Sequence, residues 1–183
     1  MNTNDDRPAL ILPVGSRDHI QGKHSAPVTL VEYGDYECPY CLKAYPIVKS
    51  IQKRMGDKLR FVFRNFPLTT LHPHAQYAAE AAEIAGAQGR FWEMHDYLFE
   101  HQQELEISSL KQHAAALGLD TERFNYDMDN HTQAPRVRED FLSGVRSGVN
   151  ATPTFFINGT RHNGPWEIRP LLSALQKAVN QGN

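Results

Sequence analysis

YGDYECPYCLKAYP (residues 33–46) holds both cysteines of a 183-residue chain, Cys38 and Cys41, with Pro39 and Tyr40 between them. The run that leads into it, VTLVEYG (28–34), reads as a strand. It is rich in β-branched residues, Pro27 precedes it and Gly34 ends it. A helix is predicted to follow over 39–55. Proline is favoured at the first helical position, and Ala44, Ile47, Val48 and Ile51 recur at helical spacing. Pro46 should kink it and Gly56 should stop it. LRFVFRNF (59–66) is a second strand, ended by Pro67. Strand, helix and strand over about forty residues make a βαβ unit, so the two strands should be parallel.

This placement gives the cysteines different chemistry. Cys38 falls at the N-cap, where its sulfur meets the free N–H groups of Tyr40 and Cys41. Those donors and the helix dipole favour an anion, so its pKa should fall. Cys41 lies one turn deeper, where desolvation should keep it a thiol. Side chains three apart on a helix are neighbours and can close a disulfide. The pair therefore suits exchange, with the more exposed Cys38 attacking and Cys41 resolving. A zinc site needs four ligands. No second C-x-x-C exists, and His72 and His74 in "HPH" read more simply as capping and packing, so no metal is expected. A bridge spanning two residues closes too short a loop to stabilise the fold much.

Outward from this unit, residues 71–148 are helical throughout. Segments begin at Pro73, at RFWEMHDYLFEH (90–101) and at SSLKQHAAALGL (108–119), where Ser108 or Ser109 is the expected N-cap. Two more helices cover 121–129 and 133–148. Phe91, Trp92, Tyr97 and Phe99 read as helix core. Strand character returns in TFFI (154–157), which runs into Asn158-Gly159, a strong hairpin signal, with TRHN (160–163) as the return strand. A last helix is predicted over 167–179. The expected fold is α/β, with a βαβ–ββα mixed sheet. A discontinuous domain, 1–67 plus 149–183, would carry an all-α insert, 68–148. Pro153 at the start of TFFI could be cis, which would set its loop against Cys38 and offer the backbone of Thr152 to a peptide.

Composition excludes other classes. With a net charge of −2 and no block of like charge, the chain carries no nucleic-acid footprint. It has no run of about 18 apolar residues, so no membrane span is expected. Arg7 is the only basic residue before the apolar run ALILPV, which is too short for a secretory leader. A cytoplasmic location is expected, or an exported one if a leader has been removed.

The blocks "VEYGDYECPYC", "HPHAQYAAEAA", "GRFWEMHDYLFE" and "GVNATPTFFING" resemble the DsbA-like thiol–disulfide oxidoreductases, members of the thioredoxin superfamily with an inserted helical domain. The resemblance covers residues 20–179. It implies Cys38 as nucleophile, Cys41 as resolving cysteine and Pro153 as cis. It also implies that Glu32, six residues before Cys38, tunes or transfers protons beneath the pair. Pro39-Tyr40 between the cysteines departs from family oxidases, which often carry histidine there. With Asp35 and Glu37 as acidic neighbours, strong oxidising power is not carried over.

The implied partners are disulfide-containing or thiol proteins. No bound cofactor is expected, and glutathione or a thioredoxin-type protein would supply electrons. Known C-x-x-C couples lie at about −120 to −270 mV and the cytosol near −220 to −320 mV, so a cytosolic pair stays mostly reduced. A reductase or isomerase role follows there, and an oxidase role if the protein is exported. Two further classes compete: a redox-inert binding or chaperone module on this fold, and a glutathione-using transferase or isomerase, which would not need Cys41.

Overall fold

The computed structural model describes residues 8–181. The N-terminal residues on which the leader reading rests, up to Arg7, lie outside the described residues. Elements run β1 (His19–Gln21), β2 (Val28–Gly34), α1 (Pro39–Met55), β3 (Leu59–Asn65), α2 (Ala75–Gly86), α3 (Phe91–Glu100), α4 (Ile107–Ala116), α5 (Thr121–Asp129), α6 (Ala134–Arg146), β4 (Thr154–Ile157), β5 (Thr160–Arg161) and α7 (Ile168–Gln181). The five strands form one mixed sheet in the order β1-β3-β2-β4-β5. β2 and β3 are parallel and the other pairs antiparallel. Helices α2 to α6 are inserted between β3 and β4.

β2 is the central strand, and all seven of its residues are buried. Successive side chains of a strand point to opposite faces. Val28 and Leu30 join the core beneath α1 and α7, with Ala44, Val48, Ile51, Leu171 and Leu175. Val31 and Tyr33 face a second core containing Val62, Phe66, Val149 and Phe156. Each large aliphatic side chain buried in this way contributes roughly 1.5–3 kcal/mol. Glu32 shares the parity of Leu30, which turns its carboxyl toward α1 and the cysteines.

The insert packs on the sheet through aromatic rings. His95 of α3 sits among Phe63, Phe91, Trp92 and Phe99, and Tyr36 bonds its Nδ1 at 3.1 Å. Phe91 and Phe99 are buried as predicted for core. The segment before β1 is fastened by a buried ion pair. Arg64 Nε and Nη2 lie 2.8 and 3.0 Å from the two carboxylate oxygens of Asp18. Arg64 Nη1 also donates to Leu12 O and to the Tyr33 hydroxyl.

The structure corrects several local expectations. β1 adds a fifth strand that three short residues in DHIQG did not signal. α4 starts at Ile107 with Glu106 as N-cap, not at a serine. Leu105 and Leu110 occupy the N′ and N4 positions of a hydrophobic staple and are both buried, which fixes the earlier start. β5 stops at Arg161 rather than 163; beyond it His162 N still donates to Phe155 O at 2.9 Å, and His162 Nε2 lies 3.0 Å from Pro165 O. As read from the sequence, α1 runs from Pro39 through Pro46 to Met55, and Gly56 at φ 51° caps it. Asn158 and Gly159 both take positive φ, 48° and 83°, the left-handed pair a two-residue hairpin turn requires.

Candidate active site

The site is assembled from the C-terminal end of β2, the start of α1 and the loop before β4. Cys38 is the N-cap of α1 with extended backbone, φ −74° and ψ 122°, and Pro39 is the first helical residue. Both cysteines are free thiols. Cys38 Sγ donates to Thr152 O at 3.5 Å, so the loop before β4 lies against the sulfur. The Thr152–Pro153 peptide is cis. Thr152 Oγ1 is buried without a partner in this thiol form, leaving its hydrogen free for a thiolate.

One expectation about exposure is corrected. Cys38 is only 3% exposed, close to the 0% of Cys41. The loops around the helix start cover it, so access differs less between the two sulfurs than position on a helix suggested. What separates them is charge stabilisation. The Cys38 thiol is lowered to about 5. The largest cause is the hydrogen bond from the Cys41 side chain, set against burial, which raises it; Thr152 and the N–H groups of Cys41 and Tyr40 lower it further. Cys41 is pushed well above its ordinary value, first by burial and then by the hydrogen bond it gives Cys38. The Asp35 N–H, 3.5 Å from Cys41 Sγ, opposes that rise.

Glu32 lies beneath the pair, 3% exposed, with Oε1 buried and unpartnered. Burial, and secondly the Cys38 charge, raise its carboxyl to about 8. A carboxyl in that range can hold a proton at neutral pH and exchange it. Tyr40 by contrast is 58% exposed, on the rim of the site, with Lys43 Nζ 5.4 Å from its ring centre.

Asp35 and Glu37 behave differently from the acidic neighbours the sequence suggested. The Asp35 carboxylate accepts from Glu37 N, Leu68 N and His72 Nδ1 at 2.8–2.9 Å. Glu37 accepts from His74 N and lies 2.9 Å from His74 Nδ1. Their charges face the start of the insert. His72 and His74 correspondingly serve the turn before Cys38; His74 is the α2 N-cap but makes no side-chain cap bond. Gln102, just past α3, reaches the same turn. Its Nε2 donates to Tyr36 O at 2.8 Å and to Cys38 O at 3.0 Å. No motif marked it, since both partners lie more than sixty residues away.

A low-pKa thiol at a helix start, a protonated thiol one turn deeper and a titratable carboxyl beneath are the parts that thiol–disulfide exchange requires. Comparison with known proteins agrees. Residues 15–177 match the family model described as Thioredoxin. BdbD from Bacillus subtilis, solved in its oxidised form, is 26% identical and superposes with a TM-score of 0.84, covering 96% of this chain and 100% of that one. A thioredoxin-like oxidoreductase from Silicibacter pomeroyi DSS-3 is 29% identical with a TM-score of 0.75, covering 91% and 92%. Among curated sequences, the Na(+)/H(+) antiporter NhaA 1 of Salinispora arenicola is 48% identical over 92% of this chain, but the match covers only 26% of the antiporter. The chain thus spans about a quarter of the length of such relatives. No helix among its described residues is long and apolar enough to cross a membrane.

Proposed function

The chain belongs to the thioredoxin family, with the DsbA-like inserted helical subdomain, and from that premise we propose that it is a protein thiol–disulfide oxidoreductase. The observation that carries the reading is the junction of Cys38 with the first turn of α1 and with Thr152 O. The Cys38 thiolate attacks one sulfur of a substrate disulfide. That S–S bond breaks, the other substrate sulfur leaves as a thiolate, and a mixed disulfide forms on Cys38. Once Cys38 is tied up in the mixed disulfide, its charge no longer raises Glu32. The fraction of Glu32 then ionised takes the Cys41 proton, and the Cys41 thiolate attacks Cys38 Sγ. The second substrate sulfur leaves, the substrate is reduced by two electrons and the Cys38–Cys41 pair is oxidised. The reverse order of steps oxidises a dithiol. Pro39 fixes the helix start, and Thr152 with Pro153 offers backbone to the substrate chain beside the sulfur.

Compartment decides direction. In a cytoplasmic setting, glutathione or a thioredoxin-type donor keeps the pair reduced, and the chain reduces or reshuffles protein disulfides. A second reading, oxidation in an exported setting, is supported by the place of Cys38 at the start of α1 and against the Thr152 loop, where donors hold its thiolate. Lowering Cys38 from 9.0 to about 5 stabilises the reduced pair at pH 7. A shift of that size corresponds to roughly a hundredfold in equilibrium, or about +60 mV for a two-electron couple. The disulfide form is correspondingly the better oxidant.

The test is equilibration of the purified chain with glutathione buffers of graded ratio, with thiol labelling to read the fraction oxidised. Reversible two-electron titration of Cys38 and Cys41 supports the reading. A pair that stays in one state across the whole range, with no exchange into a protein disulfide, contradicts it and favours a redox-inert binding module.

A further inference from the structure

The turn that carries Cys38 is held from outside the sheet domain. Gln102 is half-buried, two residues beyond the end of α3. A primary amide nitrogen has two hydrogens, and the carbonyls of Tyr36 and Cys38 take one each. Cys38 O also accepts from Leu42 N at 3.1 Å, the first bond of α1, so both its lone pairs are used. The Cys38 N–H in turn donates to Asp35 O at 3.1 Å. Every backbone polar group of the nucleophile is therefore paired, and one of those partners is a side chain of the helical insert.

We propose that Gln102 is a positioning residue for disulfide exchange. By clamping the carbonyls of Tyr36 and Cys38, it fixes the N-cap backbone so that Cys38 Sγ faces the first-turn N–H groups and Thr152. The proposal rests on the reading of the cysteine pair as an exchange centre. Gln102 is bonded to neither sulfur and acts through the backbone. Two effects carry its influence. The field of a helix end falls off within one turn, so a small rotation at the N-cap loses the donors that hold the thiolate. The amide also supplies positive hydrogens to two carbonyl oxygens beside the forming anion. Without it, Tyr36 O loses its side-chain donor and Cys38 O keeps only Leu42 N.

The titratable groups around the sulfur come from other elements: Glu32 from β2, Cys41 from α1, and Asp35 and Glu37 from the turn itself, paired with His72 and His74. Gln102 is neutral, so its effect on Cys38 carries no titration of its own. The insert on this account does more than wall the site. It holds the reactive turn from one side while the loop of Thr152 closes it from the other.

The test uses the full chain with Gln102→Met, which keeps the volume and removes both donors, alongside Gln102→Ala and Gln102→Glu. The pH dependence of Cys38 alkylation is measured in the reduced protein, together with the glutathione equilibrium. Loss of the clamp should raise the alkylation midpoint by about half a unit to one unit, and disfavour the reduced pair by roughly 3- to 10-fold. Gln102→Glu, which sets a carboxylate against two carbonyl oxygens, should exceed Gln102→Met. If the Met and Glu variants keep the wild-type midpoint and glutathione equilibrium while only thermal stability falls, Gln102 is merely structural and the proposal is wrong. If wild type itself fails to exchange, the function reading fails, while the alkylation midpoint still decides whether the clamp acts on Cys38.

Discussion

Replacing Cys41 by two different residues separates its role as a hydrogen-bond donor from its role as a sulfur. The Cys41 side chain is the largest single influence lowering the Cys38 thiol, which stands at about 5. Cys41→Ala removes that donor, whereas Cys41→Ser leaves a hydroxyl one turn into α1 that can still donate. A hydrogen bond to a charged group is worth about 1.5–3 kcal/mol, and one pKa unit is 1.36 kcal/mol, so the alanine variant should titrate about one to two units higher. The serine variant should stay within about half a unit of wild type, by the same conversion. The assay is thiolate absorbance near the ultraviolet edge, or the rate of alkylation, followed from about pH 3 to pH 9 in reduced protein. Equal midpoints for the alanine and serine variants would refute the reasoning. The helix end and Thr152 would then hold the thiolate without help from the second cysteine.

Further outcomes follow from the same electrostatics. Glu32→Gln should leave attack by Cys38 nearly unchanged at pH 7, where the raised carboxyl is already mostly protonated. It should slow resolution of the mixed disulfide, where Cys38 no longer carries the charge that raises Glu32, by about 100-fold, the low end of the range for a lost proton-transfer group, and stopped-flow quenching of single turnovers separates the two steps. His95 is held neutral by burial, lowered from 6.5 to about 3. A buried neutral base binds fewer protons folded than unfolded, so its contribution to stability is present above about pH 6.5 and is lost as pH falls toward about 3. The slope approaches about 1.4 kcal/mol per pH unit. His95→Phe should flatten that acid limb in urea titrations at graded pH, and an unchanged slope would assign the loss to other groups.

Much of this architecture is legible in the sequence because its signals are local. Pro27, the β-branched run and Gly34 mark β2; Pro39 and the spacing of Ala44, Val48 and Ile51 mark α1; Asn158-Gly159 marks the hairpin. The position of Cys38 at the helix start follows from Pro39 alone. β1 stayed hidden because three residues carry no period, and their strand state comes from pairing with Phe61, Val62 and Phe63. The role of His72 and His74 was equally hidden. "HPH" is a local pattern, but the carboxylates it meets, Asp35 and Glu37, belong to a turn 37 residues earlier. Burial of Cys38 is also a tertiary property, produced by loops distant in sequence that close over a helix end.

The most direct test of the central account is to trap the mixed disulfide. Cys41→Ser and Cys38→Ser are each incubated with a disulfide-bonded protein, quenched in acid and mapped by peptide mass under non-reducing conditions. The account predicts a substrate sulfur bonded to Cys38 in the Cys41→Ser variant and no adduct in the Cys38→Ser variant. An adduct on Cys41 in the Cys38→Ser protein, with none on Cys38 in the other, would contradict it.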